Sequence, residues 1–117
     1  MKYQESIEIA KTIQNQLVGT VGRTVIWSWG QSALQVVSSN FLEKWNIKGF
    51  GALKFRVQGK FFKGNVLVVL NGKDLYDVYL CNIRKGEIKI HHERKNLYFD
   101  EFGEWIDEMV ESKGVKE

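Results

Sequence analysis

Leu53-Lys-Phe-Arg-Val57, Gly59-Lys-Phe-Phe-Lys-Gly64, Val66-Leu-Val-Val-Leu70, Asn71-Gly-Lys-Asp74, Leu75-Tyr-Asp-Val-Tyr-Leu80 and, past Gly86, Ile88-Lys-Ile90 follow one another along the middle of the chain. Each apolar run is strand-length and each gap holds turn residues, so the stretch reads as antiparallel strands joined by short turns. In the first strand Leu53, Phe55 and Val57 alternate with Lys54, Arg56 and Gln58, which makes one face buried and the other wet and basic. Val66 to Leu70 is apolar at every position, so this strand belongs in the centre of the sheet, covered on both sides. Asn71-Gly72 is a strong hairpin signal, because both residues tolerate the positive φ that a tight turn demands. Tyr76, Val78 and Leu80 then face one way and Asp77, Tyr79 and Cys81 the other. Arg84-Lys85-Gly86 turns the chain into a last strand through Ile88 and Ile90.

Working outward toward the N-terminus, residues 3–18 carry Ile7, Ala10, Ile13 and Leu17 near one stripe, the period of an amphipathic helix. Gly19 and Gly22 are the expected stop. Arg23-Thr-Val-Ile-Trp-Ser-Trp29 alternates Val25, Trp27 and Trp29 with Thr24, Ile26 and Ser28, which reads as a strand. Gly30-Gln31 and Ala33 to Val37 complete a hairpin. The two tryptophans are either a roof for the core or a stacking platform, and at least one is assigned to the core. Residues 38–47 are a short helical turn capped by Asn40, with Phe41, Leu42 and Trp45 inward, or an irregular loop held by its aromatics. Toward the C-terminus, Phe102, Trp105, Ile106, Met109 and Val110 form a full amphipathic stripe. Asp100 is the expected N-cap, and Lys113 and Gly114 the stop.

At 117 residues the chain is sized for one domain, 1–117. No apolar run approaches the ~20 residues that cross a bilayer, so no membrane partner is expected. Met1 to Ser6 lacks the apolar segment of a signal peptide, and the lone Cys81 has no internal disulfide partner; a cytoplasmic location follows. Proline is absent, which leaves every turn to Gly, Asn, Asp and Ser. The net charge of +3 is unevenly spread. Lys44 to Lys63 holds six bases and no acid, whereas Asp100 to Glu111 holds six acids and no base. Such asymmetry marks an anion-binding face or simply two solvated faces, and the two surfaces attract each other within or between molecules.

Motifs for catalysis are lacking. Lys48-Gly-Phe-Gly-Ala-Leu-Lys-Phe55 approximates an RNA-recognition signature, but Ala52 stands where a stacking aromatic belongs, and a hairpin rather than a helix follows. Gly59 to Gly64 has the glycine spacing of a phosphate loop without its Lys-Ser/Thr, and it opens a strand. His91 and His92 are adjacent and, on a strand, point to opposite faces, which argues against a metal site. Cys81 reads as a structural thiol, Asp74 as a turn residue, and Asp77 as a cross-strand partner for a Lys or Arg. No catalytic residue, metal or cofactor is expected, and the chain is read as non-enzymatic.

Trp27-Ser-Trp-Gly30, Leu53-x-Phe-x-Val-x-Gly59, Lys63-Gly64 and Leu70-Asn-Gly-x-Asp-Leu-Tyr-Asp-Val-Tyr-Leu80, with Phe102-x-x-Trp-Ile-Asp-x-Met109, resemble a family of small proteins encoded by phages and mobile elements of gut Bacteroidetes. The resemblance spans most of the chain from residue 25. It implies the cytoplasm of a bacterial host as the setting and no particular reaction. The sequence thus predicts an α+β domain: an antiparallel sheet of five or six strands with an N-terminal and a C-terminal helix packed on it. The first expectation for function is a non-catalytic protein that binds a host protein or itself. The alternative is single-stranded nucleic-acid binding through a basic, aromatic sheet face built from Lys54, Arg56, Lys60, Lys63, Phe50 and Trp29.

Overall fold

The computed structural model describes residues 2–111. Its elements are α1 (Lys2–Val21), α2 (Arg23–Ser28), β1 (Ser32–Ser38), α3 (Ser39–Lys44), β2 (Gly51–Gln58), β3 (Lys63–Leu70), β4 (Tyr76–Arg84), β5 (Glu87–Leu97) and α4 (Phe102–Glu111). The strands form one antiparallel sheet in the order β1-β2-β3-β4-β5. This is the expected α+β architecture, with α1 and α4 packed on the sheet. The all-apolar strand is β3, and it is central. No described helix is long and apolar enough to cross a membrane.

The sheet is covered on both faces. On the first, Leu53, Phe55, Val57, Val66, Val68, Val78 and Leu80 meet Ile13 and Leu17 of α1 and Phe102, Ile106 and Val110 of α4. On the second, Ala52, Leu67, Val69 and Tyr79 are closed by Leu42 and Ile47, with Trp45 and Ile88 packed alongside. The segment after β1 is therefore the second cover. The Ser38 hydroxyl, rather than Asn40, caps α3 by accepting the Phe41 N–H at 3.3 Å. The Trp45 indole N–H donates to the Gly86 carbonyl at 3.2 Å, which ties α3 to the β4–β5 turn across this face.

Several local expectations give way. Arg23 to Ser28 is a helix, not a strand, so there is no hairpin before β1, and α1 runs past Gly19 to Val21. The segment fits both periods. Alternation suggests a strand, but Ile26 and Trp29, three apart, are both buried, while Trp27 is 83% exposed. Short apolar runs cannot be assigned from periodicity alone; here packing decides. Trp29 has no exposed surface, stacks on Phe55 with the rings 8° from parallel, and donates its indole N–H to Asp107 at 2.8 Å.

The hairpin expected at Asn71-Gly-Lys-Asp74 does form, with the Asp74 N–H donating to the Asn71 carbonyl at 3.2 Å. The Asn71 side-chain oxygen holds the loop by accepting the Lys73 and Leu75 N–H groups, at 2.8 and 3.1 Å. The left-handed position falls on Asp74, with φ 67°. Among the described residues Asp77 bonds amides rather than a cation: one carboxylate oxygen accepts from the Asn71 side chain and the Asn96 backbone N–H, each at 2.9 Å. The last helix opens at Phe102, with Glu101 rather than Asp100 at its entry: the Glu101 carbonyl accepts from Trp105 and its side chain accepts from the Tyr98 N–H. Lys113 and Gly114, the expected stop, lie outside the described residues.

Candidate nucleic-acid interface

The antiparallel register decides which predicted residues come together. Gln58 pairs with Lys63, Arg56 with Asn65, and Lys54 with Leu67. Side chains on one face recur every second residue, and strands lie ~4.8 Å apart. Lys54, Arg56 and Lys63 therefore share the second face, in a row that runs toward the end of the sheet where β2 finishes. Lys60 lies in the loop between β2 and β3 at the same end. Lys60, Lys63 and Arg56 are exposed, and Lys54 is half-buried.

Phe50 is at the far end of β2, bonded through its N–H to the Leu70 carbonyl. It is six residues from Arg56, ~20 Å along an extended strand, so it is exposed but apart from the cations. Trp29, expected on this face, lies in the core instead, where it offers nothing to a ligand. Its neighbour Trp27 takes the exposed position. The Trp29 carbonyl accepts the Gln58 N–H at 2.6 Å, which fixes the α2–β1 connection beside the end of β2, while Ile26 and Trp29 hold α2 on the helix-covered face. Phe61, in the loop with Lys60, is 54% exposed. Strand alternation puts both tryptophans on one face. The helical period, with Trp27 off the Ile26–Trp29 stripe, is the signal that separates them.

More cations gather at this end than the basic run of the sequence contains. Arg84 pairs with Glu87 at the tip of β4–β5, and Asn82 with Lys89. Arg84, Lys85 and Lys89 are all exposed. The acids at this end are Glu87 and, from α4, Asp107 against Trp29 and Glu111 beside Gly59. Four acids of the C-terminal run, Glu104, Asp107, Glu108 and Glu111, thus lie on α4, on the helix-covered side, while Lys54, Arg56 and Lys63 lie on the opposite face. Glu104, Asp107 and Glu108 line an open depression with Thr20, Val21 and Val25 on the helical layer.

Burial tunes the groups beneath the basic row. It pushes the Lys54 ammonium below its ordinary pKa; the negative charge of Cys81, where that thiol ionises, opposes this and Arg56 adds to it. Burial also pushes Cys81 up to about 11, against the attraction of Lys54. The thiol is thus fully protonated at neutral pH and a poor nucleophile. Tyr79 is pushed up to about 12 by burial first, then by Asp77 and Glu93.

His91 and His92 depart from the expected opposition. The register slips between the Leu80–His92 and Cys81–Ile90 pairs, leaving His91 as the extra residue of a bulge. Both rings then meet Phe62 in T-shaped contacts, at 6.1 and 6.5 Å between centroids. Among the described residues, no group of three or more His, Cys, Asp or Glu side chains gathers to hold a metal ion. Comparison with protein-family models, with curated proteins and with solved structures yields no match to this chain.

Proposed function

We propose that this is a non-catalytic binding protein and that its partner is single-stranded nucleic acid, held at the end of the sheet where Gln58 and Lys63 pair. One observation supports the reading: exposed Arg56, Lys60 and Lys63 lie at the end of the sheet where Phe61 is exposed, and the Trp29–Gln58 backbone bond holds the segment that carries exposed Trp27 near the same end. Cations along a backbone path and rings on which bases stack are the two parts such binding requires. Residues two apart on a strand are ~7 Å apart, a span suited to consecutive phosphates of an extended strand. The resemblance to proteins of phages and mobile elements supports the cytoplasm of a bacterial host as the setting.

Trp27 supplies a direct assay. Labelled single-stranded DNA added to the chain quenches tryptophan fluorescence, and Trp27→Phe removes most of that change. Trp27→Ala weakens binding by about 1–3 kcal/mol, the range for one base stacked on an aromatic. Affinity that does not vary with salt, or an undiminished quench in the Trp27 variant, rejects the reading.

A host protein as partner is the second reading. It is favoured by one observation: Leu34 is exposed on the edge strand β1, beside an apolar groove shared with Ile7, Ala10 and Val36. A pull-down from host lysate with and without nuclease separates the two. Capture abolished by nuclease treatment supports nucleic acid, and capture that survives it supports a protein.

A further inference from the structure

We propose that the β4–β5 hairpin carries a phosphate-binding site, separate from the basic row on the other face. A cavity of about 500 Å3 opens there, lined by Asn82, Arg84, Lys85, Glu87, Lys89 and His91. The register places Asn82 opposite Lys89 and Arg84 opposite Glu87, so alternate residues of both strands reach the same face. Lys85 and Gly86, at φ 54° and 83°, make the tight reversal that sets the tip. Three of the lining side chains are permanent donors carrying positive charge, against the single carboxylate of Glu87. An Arg fork matches two oxygens of a phosphate group, and Lys adds a point charge.

The histidine in this cavity is built in rather than incidental. The bulge brings His91 to the same side as Asn82, whose side-chain nitrogen lies 3.0 Å from His91 Nε2. Phe62 packs against the imidazole in a T-shaped contact, with 6.1 Å between the ring centroids. Gly64 makes room for both supports: a Cβ at that residue would stand 2.6 Å from Asn82 Oδ1 and 2.9 Å from Phe62 Cζ. With Nε2 engaged, Nδ1 is the remaining polar atom of the ring.

The volume lies within the ~300–1,000 Å3 of small-molecule sites. A bare phosphate would leave most of it empty, so the ligand class is a phosphate ester with an attached organic group. A free nucleotide and a phosphate of a nucleic-acid strand share that chemistry.

The test is an amide chemical-shift titration of the full chain with thymidine monophosphate, with thymidine, and with an oligothymidylate. Thymidine monophosphate is expected to move the amides of Arg84, Lys85, Lys89 and His91 saturably, and thymidine to leave them in place. The double variant Arg84→Gln/Lys89→Gln, whose remaining amide spectrum reports that it is folded, is expected to bind at least tenfold more weakly. Oligothymidylate that displaces the nucleotide identifies a nucleic-acid strand as the source; failure to displace it identifies a free nucleotide. Equal shifts from thymidine, or no shift at the hairpin with the phosphate ester at millimolar concentration, overturns the site. The site and the proposed function fail separately: Lys60→Ala/Lys63→Ala weakens oligonucleotide binding to the row and leaves the monophosphate titration unchanged.

Discussion

Asp77 shows how one side chain holds an end of the sheet. It is buried, and its carboxylate takes N–H groups from Asn71 in the β3–β4 loop and from Asn96 in β5. Asp77→Ala leaves both donors short of an acceptor and is expected to lower stability by about 1–3 kcal/mol in urea unfolding. A change near zero would mean water replaces the carboxylate. Cys81 and Tyr79 carry a pH signature. Their ordinary values of 9.0 and 10.0 rise to about 11 and about 12 in the fold. The native state therefore keeps protons that the unfolded chain has already released. Stability is complete below pH ~9 and falls as pH climbs toward the native values, at up to about 1.4 kcal/mol per pH unit for each group. Tyr76, also raised by burial, adds to the fall. Lys54, lowered by burial, works the other way, since the unfolded chain holds that proton longer. Three groups against one predict a net decline, read as a urea midpoint that drops through the alkaline range. Cys81→Ser, which removes the thiol, should make that drop shallower.

Among the elements, α3 and α4 depend on single small residues. The Ser38 hydroxyl caps α3, and Ser38→Ala is expected to cost about 1 kcal/mol. Because Leu42 of this helix closes the second core, removing the cap should also raise hydrogen exchange in β3 at Leu67 and Val69; unchanged exchange there would show that Ile47 and Trp45 hold the cover without the helix. At the other face, Gly59 lies against the end of α4. A Cβ at Gly59 would collide with the Val110 side chain and carbonyl, and the same carbonyl accepts the Phe61 N–H at 2.9 Å. Gly59→Ala is therefore expected to destabilise by about 1–3 kcal/mol and to loosen the loop that carries Lys60 and Phe61. A thermal melt measures the first effect and oligonucleotide affinity the second.

Across the whole molecule the charge layout is the property most open to test. Lys60→Glu/Lys63→Glu reverses two charges that no core packing requires. It should lower single-strand affinity more than tenfold and flatten the dependence of log K on log salt by about one unit for each phosphate no longer neutralised. A parallel change at Lys11, on the exposed face of α1, should leave both quantities alone. Equal effects from the two would mean that net charge acts, not the arrangement at the end of the sheet.

All five strands left a trace along the chain, and so did both packed helices, because their apolar residues recur at periods of two or 3.6 whatever the tertiary context. Lys54, Arg56, Lys60 and Lys63 were legible as a basic group because they alternate with, or flank, those apolar residues. β5 was seen only around Ile88 and Ile90, since its outer residues are polar and exposed and carry no pattern of burial. Local periodicity dictated the layered α+β plan and the central place of Val66 to Leu70. Long-range packing settled that Arg23 to Ser28 coils, that Trp29 is buried while Trp27 is exposed, and that Arg84, Lys89 and His91 converge on one hairpin face. Those outcomes turn on partners far along the chain, Asp107 for Trp29 and Phe62 for His91, and on a bulge that no local period announces.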